Sequence, residues 1–237
     1  LGLTNTLIKL GSRDEALELC RQAAATLPQS ASIYHRLGEL ERELGNIRQA
    51  LAAFAHAVAL RPDDMETYLN LGRLQRTIYS DLDARATFCL ALEREFSSAQ
   101  STHYTRLGIA FFEIGDLENA IDAYKTALTL DANDSAARVN LGWSLFKTGN
   151  VSGAITAYKT VLKRQRNSIA HFNLGLAYLA MGDLPAADST YAEAVSEFGA
   201  AEAHRIGAVA DLRDLLSSDV QAAGARQLLA RYWSTDR

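Results

Sequence analysis

Residues 135–167 read SAARVNLGWSLFKTGNVSGAITAYKTVLKRQRN, and their spacing decides the fold. Leu141 and Gly142 form a pair, Gly149 follows, and Ala154, Tyr158 and Val161 come after at steps of four and three. Residues three or four apart share one face of a helix, so the last three form an apolar stripe. Gly149 stands between the two apolar stretches, and glycine is the residue that most readily takes the left-handed backbone closing a helix. The stretch therefore predicts two helices joined by a tight turn.

Outward from this stretch the same columns recur, which makes internal repetition the first property to establish. Leu-Gly pairs fall at 37–38, 71–72, 107–108, 141–142 and 174–175, in steps of 34, 36, 34 and 33 residues. Twelve residues after each glycine stands an alanine: Ala50, Ala84, Ala120, Ala154 and Ala187, with Ala16 opening the series. Four further on are Cys20, Phe54, Phe88, Tyr124, Tyr158 and Tyr191, and three beyond those a small residue. Turn glycines stand at Gly11, Gly45, Gly115, Gly149 and Gly182, with Tyr79 as the exception. The glycine of each Leu-Gly pair is expected to let a neighbouring backbone approach. Pro28 and Pro62 fall where a second helix should stop, and Pro185 falls in a first helical turn, where its missing N–H costs nothing.

This pattern resembles the tetratricopeptide repeat family, and the resemblance runs over nearly the whole chain. Full copies are 31–64, 65–98, 101–134, 135–167 and 168–199, preceded by a truncated copy over 1–30 and followed by a degenerate copy with a cap over 200–237. The resemblance implies an all-α fold, a right-handed α-α superhelix of six to seven helix-turn-helix repeats forming one solenoid. First helices would line the concave side. Stacked repeats bury one another's apolar faces, so such an array has one continuous core. The third copy lacks its turn glycine and closing proline and is followed by two extra residues, Ala99 and Gln100. That irregularity reads either as a tolerated loop insertion or as a joint near 96–103. Ser217, Ser218 and Asp219 offer an N-cap for a last helix from about Val220 to Trp233. It is expected to cap the stack. The alternative is a tail docked in a groove.

Composition agrees with this class. The 237 residues include 40 alanines and 3 prolines, a helical balance. A net charge of −4 argues against nucleic-acid binding, which needs a basic face. No stretch reaches the 18 or more apolar residues of a membrane span. Cys20 and Cys89 read as small hydrophobes rather than a disulfide framework. They fit a reducing compartment, so the cytoplasm is favoured and the periplasm stays open. Arginine outnumbers lysine 19 to 5, the usage of a bacterium with a GC-rich genome. The chain opens at Leu1, as a trimmed or processed segment would, so the lack of a signal peptide has no weight.

No catalytic constellation is legible. His35, His56, His103, His171 and His204 pair with no carboxylate or cysteine at metal-ligand spacing. No serine sits in a nucleophile elbow, and no glycine-rich loop is built to cradle phosphate. Neither a cofactor nor a metal is expected, and the chain reads as non-enzymatic.

The repeat register places another set of residues on the inner face of the first helices. In the second and third copies these are His35, Glu39, Arg42, Glu43, Glu66, Leu69, Arg73 and Arg76, a mixed-charge surface. In the later copies they are Thr105, Ile109, Phe112, Val139, Trp143, Phe146, Phe172, Leu176 and Leu179, an apolar stripe over three repeats. Asn70, Asn140 and Asn173 share one column suited to holding the backbone of an extended peptide. Repeats of this family that hold acidic chaperone tails use a clamp of Asn, Lys and Arg. Asn70 and Arg106 match it, but Glu39 and Thr102 do not, so that use is disfavoured. The stripe is either a groove for an apolar or helical segment of a protein partner or ordinary packing covered by the terminal helix.

The reading that follows is a protein-interaction scaffold in assembly of a bacterial multiprotein complex, with partner contacts at Asn70, Arg73, Arg106, Ile109, Phe112, Val139, Asn140, Trp143, Phe146, Phe172, Asn173, Leu176 and Leu179. The rivals are an accessory repeat domain of a larger enzyme, such as a glycosyltransferase, and a scaffold that assembles with itself.

Overall fold

The computed structural model describes residues 6–7, 12–94, 96, 100–217 and 221–233. Every regular element among them is helical. Helix α1 is Arg13–Thr26, and α2 (Ala31–Glu43) pairs with α3 (Ile47–Leu60) and α4 (Met65–Ile78) with α5 (Asp81–Leu92); α6 is Ser101–Glu113 and α7 is Leu117–Leu130. Then α8 (Ser135–Lys147) pairs with α9 (Val151–Leu162), and α10 (Ser168–Ala180) with α11 (Leu184–Phe198). Three shorter helices end the chain: α12 (Ala200–Arg205), α13 (Ala208–Asp214) and α14 (Ala222–Tyr232). The all-α, helix-turn-helix class read from the sequence is the class observed. The chain divides into two compact units, 1–119 and 120–237. Segment 96–103, the candidate joint, lies inside the first. Residues 97–99 are outside the described residues, but Phe96 is buried with its ring 6.1 Å from that of Tyr68.

The turns follow their glycines. After α2, the Asn46 N–H donates to Glu41 O at 2.8 Å and the Gly45 N–H to Arg42 O at 3.0 Å, with Gly45 at φ 80°. This closes the helix by satisfying carbonyls that no later turn would reach. The same bonds recur at Gly115, Gly149 and Gly182. Gly11 lies outside the described residues. At Tyr79 the motif is gone. The Tyr79 N–H bonds Gln75 O at 2.7 Å, and α5 starts two residues later behind the Ser80 hydroxyl, which accepts from the Asp83 N–H at 3.2 Å. The link from α4 to α5 is thus one residue shorter than that from α2 to α3. Asp134, Asn150, Asn167 and Asp183 cap the helices that follow them through N–H groups three residues on.

The Leu-Gly column has a different cause from the one expected. Its glycines make room for a ring rather than for a neighbouring backbone. A Cβ at Gly72 would lie 2.2 Å from the Phe88 ring, one at Gly142 2.6 Å from Tyr158, and one at Gly175 2.9 Å from Tyr191. In these repeats the aromatic residue of the second helix comes against the glycine of the first helix, and the absent side chain is what lets it in. Tyr158 and Tyr191 are 0% and 1% exposed, burial worth about 1.5–3 kcal/mol per ring.

The degenerate last copy departs from the pattern. Its first helix breaks at Gly207, φ 83°, into α12 and α13. The last helix begins at Ala222 rather than near Val220. Ser218 and Asp219, two of its expected caps, lie outside the described residues. Ser217 ends a short 3-10 turn instead, its hydroxyl donating to Asp214 O at 2.8 Å.

Candidate binding surface

In the first unit the expected inner residues meet a network of ion pairs. Arg106 is engaged by Glu66, with one bond at 2.9 Å. Arg76 donates to Glu113 at 2.7 Å and Arg36 to Glu39 at 2.7 Å. The His35 ring lies 3.6 Å from Glu39, and its hydrogen bond, with that of Arg36, holds the Glu39 carboxyl down at about 2. Asn70 and Arg73 come together in a cleft of about 400 Å3 that is also lined by Arg42, Ile47, Leu74, Thr77 and Ile78. Asn70 is 6% exposed. Ile109 and Phe112, on α6, are half-buried. The aliphatic floor of the cleft was missed in the sequence. Ile47, Leu74 and Ile78 sit at core spacing, and only their packing shows that each also borders open space.

In the second unit the apolar stripe is assembled, but most of it is not open. Phe172, Leu176 and Leu179 are 0%, 3% and 2% exposed. They share a core with Val209 and Leu212 of α13, Leu228 of α14, and Trp233. The expectation of an open stripe over these three residues is corrected: the chain's own last helices cover it. Trp233 sets the cover in place. Its indole N–H donates to Ala200 O at 3.1 Å, and its ring lies 5.8 Å from Tyr191 and 6.5 Å from Phe172. The Gln221 side-chain amide donates to Ala180 O at 3.2 Å. Helix α13, the second half of the degenerate copy's broken first helix, packs on α10. Helix α14 packs on α11 and α13.

Next to this covered patch, Trp143 and Phe146 of α8 stack at 5.4 Å and stay half-buried, with the Lys147 ammonium 4.8 Å from the indole ring. Val139 is buried, Asn140 half-buried, and Asn173 9% exposed. Among the described residues, the hydroxyls of Ser144 and Tyr191 are buried without a hydrogen-bond partner. Burial also raises the Asp211 carboxyl on α13 above its usual range, an effect opposed by Lys147 and reinforced by Asp214. Among the described residues no group of His, Cys, Asp and Glu is arranged to hold a metal, and no helix is long and apolar enough to cross a membrane.

Known proteins match this architecture. Models of the tetratricopeptide repeat match residues 7–75 and 139–205, and a TPR repeat model matches 108–149. No curated protein matches the chain. Among solved structures, the MamA protein is 26% identical, with a TM-score of 0.59 over 70% of this chain and 90% of that one. YrrB, described as a TPR protein with an unusual peptide-binding site, is 18% identical, with a TM-score of 0.63 over 89% of this chain and 99% of that one. The C-terminal part of a TPR repeat-containing protein from Cytophaga hutchinsonii is 18% identical, with a TM-score of 0.69 over 99% of this chain and 96% of that one. The repeat columns, the helix pairs that they fold into and these matches agree: the chain belongs to the tetratricopeptide repeat family.

Proposed function

We propose that this chain is a non-catalytic binding module that holds a helical or extended segment of a protein partner on its first-helix face, as part of a multiprotein assembly. The observation that carries the reading is the seating of α13. This short helix lays Val209 and Leu212 on the face made by Phe172, Leu176 and Leu179, so that face has the shape and chemistry to accept the apolar side of a helix. Trp143 and Phe146 pack against the same core yet stay half-buried. Large aromatic residues of this kind dominate binding energy at interfaces. The fold is one generally used for protein interaction, and YrrB is described as having a peptide-binding site. Both facts support a peptide or protein partner here.

The test is capture of partners by the full chain and by its Trp143→Asp, Phe146→Ala double variant, with circular dichroism on both. A partner held by the wild type and lost from a helical double variant supports the reading. A partner held equally by both refutes it for this face. Lys147→Glu, an exposed change above Trp143, gives a second probe if the double variant loses its helices.

A further inference from the structure

The turn between α4 and α5, in the first unit, turns two large apolar side chains outward where the other repeat turns have none. We infer that this turn is a self-association surface: Tyr79 and Leu82 of one copy seat on the cleft floored by Ile47, Leu74 and Ile78 of a second copy of this chain, and the second copy does the same in return.

The first support is what the turn exposes. Gly45, Gly115, Gly149 and Gly182 close the other turns at positive φ, whereas Tyr79 closes this one at φ −105°, a backbone that needs no glycine. At the head of the second helix, Ile47, Leu117, Val151 and Leu184 are half-buried, and the residues after them, Arg48, Glu118, Ser152 and Pro185, are exposed. Here the order is reversed: exposed, charged Asp81 comes first and apolar Leu82 takes the outward position. Tyr79 and Leu82 are 65% and 73% exposed, more than any other large apolar side chain among the described residues. Single exposed apolar residues are ordinary. These two stand three apart at one turn, and Ile78 beside them lines a cleft with an aliphatic floor.

The second support identifies the occupant. Protrusion and cleft lie at the same turn of the same chain, so a two-fold axis beside the turn sets each against its counterpart, as an isologous interface requires. The cleft, at about 400 Å3, has room for a tyrosine ring. Charge matches in the same sense. Asp83, exposed just past Leu82, has no cation within ion-pair distance among the described residues, and Arg42 and Arg73 at the rim of the cleft have no carboxylate. Across the axis the acidic side of the protrusion meets the basic rim. A chain whose own protrusion fits its own cleft in shape and charge is suited to a second copy of itself. A buried aromatic ring removes about 150–250 Å2 from water, so two rings and two leucines give an interface at the small, reversible end of the scale.

The test is sedimentation velocity of the full chain from about 1 to about 300 µM. The wild type is expected to pass from monomer to dimer within that range. Tyr79→Gly and Leu82→Glu give each position a residue that other copies carry there, and each is expected to raise the dissociation constant at least about tenfold. Both positions are exposed, and circular dichroism checks that the helices are kept. A charge exchange tests the pairing. Asp83→Arg in one chain, and Arg42→Glu with Arg73→Glu in another, each set like charges together across the axis and are expected to dimerise at least about tenfold more weakly. An equimolar mixture of these two chains is expected to regain wild-type association, because in the mixed pair each protrusion meets a rim of opposite charge. A wild type that stays monomeric overturns the proposal and leaves the turn to a different protein. Association unchanged by both Tyr79→Gly and Leu82→Glu overturns it as well, since the copies then meet elsewhere, and so does a mixture that associates no better than its components. The Trp143→Asp, Phe146→Ala variant is expected to dimerise as the wild type does, so either result leaves the reading of the second unit's face untouched.

Discussion

A methyl group added at Gly72 would meet the Phe88 ring at 2.2 Å, whereas one at Gly45 would meet nothing within 4 Å but would sit on a backbone at φ 80°. The two glycines serve different ends, and their substitutions should differ in kind. Gly72→Ala is expected to cost about 2–3 kcal/mol by forcing the ring off its seat. Gly45→Ala is expected to cost about 1 kcal/mol of backbone strain. Urea midpoints at neutral pH measure both. Glu39 makes a third case. Its carboxyl is held at about 2, against an ordinary 4.5, first by the His35 hydrogen bond and then by Arg36. A depressed carboxyl stabilises the fold above its unfolded value, and that stability is lost as pH falls through the folded one. The gap between wild type and Glu39→Gln should therefore be about 1–2 kcal/mol at pH 6, after allowing for partial exposure. It should close as pH falls from 4.5 towards 2. A gap that widens on acidification would contradict the assignment. The glycine columns and the aromatic column were legible in the sequence because spacing fixes helix faces. That the glycine faces a ring was not, because the packing angle between two helices is absent from the spacing of either one.

At the scale of elements, the pairs α2–α3, α4–α5, α8–α9 and α10–α11 follow the register closely, since each rests on local spacing, a turn and a cap. The last segment does not. Its column residues are missing, so neither the break at Gly207 nor the seating of α13 was readable, and a choice between cap and docked tail needed the packed structure. Leu228 is 0% exposed and anchors α14. Leu228→Ala is expected to cost about 2–4 kcal/mol and to increase proteolysis within 200–233 before the rest of the second unit. Asp211 on α13 works against its own helix. Burial raises its carboxyl, so the charged form is penalised at neutral pH and the penalty lifts as pH falls through the folded value. Asp211→Asn should raise the thermal midpoint at pH 7 and lose that advantage at pH 3, where both side chains are neutral. The candidate site divides in the same way. The column of Asn70 and Arg73 was readable, but that Arg106 is held by Glu66 and Arg73 by no described carboxylate depends on long side chains reaching across helices.

For the whole molecule, the sequence delivers the number and type of repeats, and the structure adds which faces are already used. In the second unit the covering helices meet the inner face of the final full repeat and only border that of the repeat before it. This bears on how such an array can lengthen. Asn167 caps α10 through the Ala170 N–H at 2.8 Å, and Asp134 caps α8 in the same way through Ala137 at 2.9 Å. A duplicate of 135–167 spliced after Asn167 would thus find a cap at its head and an unchanged neighbour at its tail. The lengthened chain is expected to unfold as cooperatively as the parent, with proportionally more helix by circular dichroism. The same duplicate spliced after Gly199 would have to evict α12 to α14 from Phe172, Leu176 and Leu179, and should yield a chain that exposes 200–237 to protease. Growth by duplication is open in the interior of this unit and closed at its far end, because the tail fixes which repeat is last.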